Sequence, residues 1–484
     1  MAQQATGANA RFSWKKEATA GVPDFPLVGG GGNTTLTAAV SPGATVLTVG
    51  AEANFAANDK IRVGDDYNPE YVKVLSTAAN TINLDTDTPI NFRHEIGEVV
   101  QEVTIAGFKK IAGLVTVDDL GAVAKIISRE LGGIRGTPKS RGGMVDVDFN
   151  MTIELGIEQF GVWLRYVLGK TGDYSTTGTT VGGGGSTTTN AIIAAGATTL
   201  PLTALTGFAI SEFVEVDTGS LAEIVKISGT WNGTDNPVPL DASYPFRRGH
   251  ASGVTAVEKQ SPFTSIFKRG ASLDSLTMLF HMTDIVSLAL VKGAKINSLA
   301  ITMTPGNETI VATIAVTAQS LQIIQEDIFG SAASISHKFY APWEIKVKRD
   351  AAFMNIVESF AFTINNGIDA GRGRVLGSRF KTSIVPARGD TTGSFIYQLS
   401  DTAILKKMVF DQAVSLEAIA TYIGDTNHQI NLLYPVSKLT GGMHPGVDSD
   451  APVSDTKNFD AEYDDVTELT DIKVTIKSTE AIFE

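Results

Sequence analysis

GAKINSLAITMTPGNETIVATIAVTA, residues 293–318, decides the fold class. Ile296, Leu299, Ile301 and Met303 open a nearly alternating run, and the turn residues Thr304–Asn307 separate it from a second alternating run. Period-two alternation puts the apolar side chains on one face of a strand, so the stretch reads as a half-buried antiparallel hairpin. The pattern continues on both sides. Downstream it runs through WEIKVKR from Trp343, SFAFTINNG from Ser359, RFKTSIV from Arg379, SFIYQL from Ser394 and DIKVTIK from Asp471. Upstream, SPFTSIFKRG from Ser261 and MVDVDFNMTIEL from Met144 read the same way. The chain is expected to be mainly β, antiparallel and sandwich- or barrel-like, with a few packed helices.

Three stretches have helical spacing. Asp118 or Asp119 can cap LGAVAKIISRELGG, where Leu120, Val123, Ile127 and Leu131 approximate one face before Gly132 and Gly133. In GIEQFGVWLRYVLGKTG, Ile157, Phe160, Leu164, Val167 and Leu168 fall together, Trp163 widens their face, and Gly169 follows. This predicts a core-packing helix over 157–168. DTAILKKMVFDQAV, from Asp401, predicts a third, short helix.

The chain also repeats itself. VGGGGNTTLTAAVSPGATVLTV from Val28 returns as VGGGGSTTTNAIIAAGATTLPL from Val181, 153 residues later. At that offset Gly43 meets Gly196, Phe55 meets Phe208, Glu70 meets Glu223, and Val72, Lys73 meet Val225, Lys226. Farther on, TINLD from Thr81 matches VPLD from Val238, and Arg93 aligns with Arg247 after one extra residue. Short alternating runs fill both copies (KIRVG and YVKVL; FVEV and EIVKI), predicting two related small β modules entered through flexible glycine runs. Two copies are too few for a solenoid.

Global numbers narrow the setting. The 484 residues include no cysteine, which excludes disulfides, thiolate nucleophiles and cysteine metal sites. The start, MAQQATGANARFSWKKEATAG, lacks the apolar core of a signal peptide, and no later run has the length and apolarity of a transmembrane helix; a soluble product made in a cytosol is expected. Against 39 basic residues stand 52 acidic ones, for a net charge of −13, which argues against a grip on nucleic acid through an overall basic surface.

No catalytic pattern emerges. The histidines are His94, His250, His281, His337, His428 and His444, without zinc-ligand spacing. His94 opens HEIGE, where Glu98 occupies the second-histidine position of HExxH, so a surface or hydrogen-bonded histidine is expected. GRGRVLG, 371–377, fits no phosphate-loop spacing; Arg372, Arg374, Arg379 and Lys381 read as a mobile basic turn or as ligands for an acidic neighbour. HPGVDSDAPVSDTKNFDAEYDDVTELTD, from His444, lacks the glycine and terminal glutamate of an EF-hand and reads as a solvated acidic loop or a contact segment. No catalytic, cofactor-binding or metal-binding residue is assigned, and no cofactor is expected.

RFSWKKEATAG at Arg11, SRGGMVDVDFNMTIELGIEQFGVWLRYVLG from Ser140, SPFTSIFKRG from Ser261, the hairpin from Gly293 and SFAFTINNGID from Ser359 occur in an order that resembles the tail tube proteins of long-tailed bacteriophages. The resemblance implies a non-enzymatic virion protein whose subunits form hexameric rings, stacked into a hollow conduit for DNA delivery into the bacterial host. It further implies contacts with other phage tail proteins, transient passage of double-stranded DNA, assembly in the host cytoplasm and residence in the virion tail. Acidic side chains along such a channel would limit adhesion of the DNA backbone. The division expected is an N-terminal arm and start of the tube domain over 1–32, an inserted module over 33–103, and tube core over 104–185. A second inserted module follows over 186–259, and the rest of the core over 260–484 carries an acidic C-terminal loop and a final strand. A host- or glycan-binding tail component, or another capsid or baseplate subunit, is the alternative; glycan binding would need an aromatic platform or a converging carboxylate pair.

Overall fold

In this computed structural model, residues 10–481 are described apart from 20–21, 24–27, 29–30, 65–68, 106–107, 121, 128–139, 170–173, 283–286, 307, 325–331, 333–337, 355, 370, 377, 400–401 and 443–452. The spine is the strand Ser287–Met303, which contains the first half of the predicted hairpin. Its first half pairs with Leu276–Met282 on one edge and Ser320–Ile324 on the other. Its second half pairs with Val311–Ala318 and Val357–Asn365. From Val311–Ala318 the sheet passes to Ser140–Glu154. From Val357–Asn365 it passes through Asp390–Gln398 and Ser454–Glu462 to Gln429–Thr440. The start of that last strand turns instead to Lys473–Ser478, which leads to Thr255–Lys268. Every one of these pairings is antiparallel, and the sheet curls in a barrel-like way.

The curl is filled from within. Leu299, Ile301, Ile314, Val316, Phe360, Phe362 and Ile364 alternate inward, as the period-two pattern requires. Phe360 stacks on Phe459 at 5.7 Å, and Tyr434 lies 5.2 Å from Phe459. The helix Ile157–Leu168 forms where its spacing predicts and is buried on every side. Trp163 meets Trp14 of the first strand at 6.2 Å. Burial all round traps polar residues too: Arg165 Nη2 pairs with Asp274 Oδ2 at 3.0 Å, and Gln159 Oε1 accepts the Ala112 N–H at 3.0 Å. The short helix Ala403–Val409 also forms.

Three expectations of secondary structure are corrected. Ala122–Ile127, expected within a helix, is a strand paired to Ser140–Asp146; positions 121 and 128–133 of that helix lie outside the described residues. Val and Ile suit a strand, and an available edge decided between the two periods. RFKTSIV forms no strand: it holds a single bridge, Arg374 to Lys381. Part of the acidic segment is not a loop, since Ser454–Glu462 lies between two strands, with Asp455, Lys457 and Phe459 buried.

The two repeats have matching strand pairings. In the first, Asn33–Thr35 pairs with Val99–Glu102, Lys60–Val63 with both Glu70–Ala78 and Val99–Glu102, and Val46–Thr48 with Thr81–Leu84. In the second, Ser186–Thr188 and Phe213–Val216 both pair with Thr255–Lys268, Phe213–Val216 with Glu223–Lys226, and Thr199–Leu200 with Val238–Pro239. Each encloses its own apolar cluster, around Val72 and Leu84 in one and Val225 and Leu240 in the other. The last glycine of each entrance is packed, whereas Gly182 and Gly183 face open space. A Cβ on Gly32 would enter the Phe55 ring, and one on Gly185 the Phe208 ring. Gly43 and Gly196 both have positive φ, +86° and +81°.

Candidate assembly surfaces

Two features at opposite ends of one strand stand out. Val357–Phe360 begin a strand that ends at Asn365, and the loop to Asp390 follows it. That loop is held down. Arg374 Nη2 binds Asp146 Oδ1 at 2.5 Å, while the buried Lys381 Nζ reaches Asp148 at 3.1 Å and Asp146 at 3.5 Å. Arg379 donates to the Gly143 carbonyl at 3.1 Å, and its own carbonyl accepts from Val145 N at 2.9 Å. Phe380 packs edge-on against Phe92 at 4.9 Å. The acidic neighbour of the basic turn is therefore the strand Ser140–Glu154 of the same chain. Despite these anchors the loop leaves Leu376 fully exposed, Val385 largely so and Val375 about half so.

At the other end of the strand is an open groove of about 280 Å³. Its floor includes Met303, Val347 and Phe360, which are buried, and its walls carry Trp343, 65% exposed, and Phe353, 55% exposed. Trp343 stands on a short turn of helix started by Pro342, and Phe353 on a two-residue strand paired to Lys348. Lys346 and Glu358 also line it. Sequence reasoning missed this groove, because its residues come from three separated segments.

Four of the six histidines lie among the described residues, and all four are buried. His94 is buried, its Nδ1 2.6 Å from Glu98 and its Nε2 3.2 Å from Glu70. His250 is buried likewise, its Nδ1 3.0 Å from Asp217 and its Nε2 2.5 Å from Glu223. Burial opposes the charged ring in both, but the hydrogen bonds and charges of the flanking carboxylates outweigh it, and both pKa values are raised. Burial also raises Glu223, yet His250 and Arg247 more than offset it and hold the carboxyl below its usual range. The expected match of Arg93 with Arg247 is corrected. Arg93 is exposed beside Glu95, whereas Arg247 is buried against Glu223. The bonds from Gly43 N to Ile90 O and from Gly196 N to Phe246 O equate Ile90 with Phe246, and so His94 with His250. His428 is buried near Asp425 and Glu158, and His281 is buried; His337 and His444 lie outside the described residues.

Each repeat joins the large sheet differently. In the second, one continuous strand, Thr255–Lys268, runs from module to sheet. In the first, Tyr71 exchanges hydrogen bonds with Gln322, at 3.3 and 3.1 Å, and packs in a cluster with Leu279, Leu288 and Leu290. The buried Lys292 donates to the Pro69 carbonyl, and burial, only partly offset by Glu70 and Glu17, pushes its pKa down to about 8.

Among the described residues, no group of His, Asp and Glu side chains is placed to hold a metal ion, and no helix is long and apolar enough to cross a membrane. No curated protein matches the chain. The family model described as phage tail tube protein matches residues 115–463, a span that starts after the first repeat and includes the groove, the anchored loop and nearly all of the curled sheet. Because that match takes in well over half of the sequence, the chain belongs to the phage tail tube protein family.

Proposed function

We infer that copies of this chain associate into hexameric rings, and that the rings stack into the hollow tube of a phage tail through which double-stranded DNA passes. The match over residues 115–463 carries this reading. The exposed loop and groove supply two distinct sticky surfaces, which a repeating assembly needs. The role is structural and non-catalytic, exercised in the virion tail after assembly in the host cytoplasm, beside other tail proteins. On this reading the repeats, 33–103 and 186–259, are insertions on the tube subunit, placed away from the channel because a folded module within it would obstruct DNA. The family match begins beyond the first repeat, which supports reading that repeat as an addition to the tube subunit; the second repeat lies within the matched span. Electron microscopy of the purified chain tests the reading: open-ended hollow tubes with a six-fold repeat are expected, and a population that stays as compact monomers even with partner tail proteins present would sink it.

A further inference from the structure

We propose that the loop tip Arg372–Leu376 of one copy seats in the Trp343–Phe353 groove of a second copy, making a head-to-tail contact between subunits. The proposal rests on the tube-forming reading above and adds the surfaces that meet.

A single exposed leucine is ordinary on a protein surface and calls for no explanation. Leu376 differs in its support. Arg374, Arg379 and Lys381 fix the backbone on both sides of it through Asp146, Asp148 and Gly143, yet none of these contacts covers Leu376 or Val375. A loop held in place beforehand loses little conformational entropy when it binds, so an apolar tip on such a loop is pre-organised for a partner. The groove is the complementary shape: an apolar floor between two exposed aromatic walls, the kind of pocket that takes an aliphatic anchor.

Within one chain the loop that bears the tip is tied down by Arg374 to Asp146 and by Lys381 to Asp148. Tip and groove flank the strand Val357–Asn365, whose nine residues put its ends about 26 Å apart. Two different complementary patches at opposite ends of one element define a heterologous contact, which repeats from copy to copy instead of closing on a symmetric pair. Charge fits the same arrangement. At the base of the tip Arg372, 85% exposed, pairs with Asp369, 56% exposed, at 3.2 Å, and the groove offers Glu358 and Lys346. Each surface thus carries one charge of each sign, so an orientation in which Arg372 faces Glu358 and Asp369 faces Lys346 is open to the pair.

The absence of cysteine makes the test direct. Val375→Cys, in the tip, and Ser359→Cys, in the groove, are made in separate chains that both keep Leu376, Trp343 and Phe353. The two variants are mixed, assembled and mildly oxidised. A disulfide-linked pair of chains is expected in the mixture and not in either variant alone, since a bond requires Cα atoms within about 7 Å. Leu376→Asp should lower the yield of assembled material at least tenfold while leaving the melting temperature of the unassembled chain unchanged. If wild-type tubes form but the mixture gives no linked pair, and the groove thiol introduced by Ser359→Cys reacts freely with a maleimide in the assembled material, the groove is open or belongs to another occupant and the proposal is overturned while the tube reading stands. Protection of that thiol in tubes of the Ser359→Cys chain without a linked pair would assign the groove to a different segment and would overturn it equally. If the wild-type chain forms no repeating assembly at all, the tube reading fails and takes the proposal with it.

Discussion

His94 and His250 stand at the same place in the two repeats: the backbone of His94 bridges to Val40, that of His250 bridges to Ile193, and each ring is held between two carboxylates. One carboxylate is the shared Glu70 or Glu223, which follows the same strand turn in both modules. The other has a different origin, Glu98 just before a strand in the first and Asp217 just after one in the second. The two modules thus favour protonation of a buried imidazole by different means.

Both modules should weaken as the solution becomes alkaline. A histidine whose folded pKa lies above the unfolded value of about 6.5 binds its proton more tightly in the folded state. The stabilisation is complete below about pH 6.5 and is lost as pH rises through the folded values of His94 and His250. Amide exchange, corrected for its intrinsic pH dependence, should show falling protection in both modules across the range that begins at about pH 6.5 and runs into alkaline solution, with Phe360 and Ile314 unaffected. Equal module protection at both ends of that range would refute the assignment.

At the joint of the first module the sign reverses. Lys292 has a folded pKa of about 8, below the unfolded lysine value of about 10.4, so its burial costs stability while it is charged. Stability should therefore rise between about pH 8 and 10.4 through this group, by at most on the order of 3 kcal/mol. Lys292→Met should abolish that rise; denaturation midpoints at pH 8 and pH 10 for the two proteins make the comparison, and an unchanged rise in the variant would count against the assignment.

Glu70→Gln and Glu223→Gln each leave a buried cation short of its counter-charge. The loss should be about 3 kcal/mol in each module, and greater for Glu223, which also accepts from Arg247 Nε at 3.2 Å. The damage should stay local, visible as protease sensitivity within the altered module and not in the curled sheet. Trp163→Ala should behave in the opposite way, costing about 3–5 kcal/mol and loosening the large core around the helix Ile157–Leu168.

Excision should separate the two repeats. Thr180 and Lys259 are direct partners on adjacent antiparallel strands, so replacing 181–258 with a two-residue Asn-Gly turn leaves a closed hairpin. Removing 33–103 instead uncovers Leu279, Leu288 and Leu290 and strips Lys292 of the Pro69 carbonyl and Glu70. Soluble yield and melting temperature should fall further for the second deletion than for the first; the reverse order would show that the continuous strand Thr255–Lys268 needs its module in order to form.

Local pattern was legible wherever one period dominated. The helix 157–168 follows from apolar spacing ended by Gly169, and the hairpin from 293 follows from alternation interrupted by Pro305 and Gly306. Where a stretch fits both periods, as at Ala122–Ile127, the choice lay with the edge of Ser140–Glu154, which no local window contains. The glycine runs misled for a related reason. Their composition suggests freedom, but Gly32 and Gly185 are there because Phe55 and Phe208 lie against them, and their N–H groups donate to Glu102 and Glu258 at 3.2 and 3.0 Å.

The sequence by itself determined the antiparallel β class, the buried central helix, the duplication and the family resemblance, because each is written in short-range periodicity or in the order of segments along the chain. Only the tertiary structure decided which residues meet across long separations. Glu70 with His94 and Lys292, Arg374 with Asp146, and Trp343 with Phe353 and Met303 are joined by sheet curvature and strand register. Burial then gives these meetings their chemistry, since a carboxylate, an imidazole or a lysine acquires its charge state from neighbours that sequence distance does not reveal.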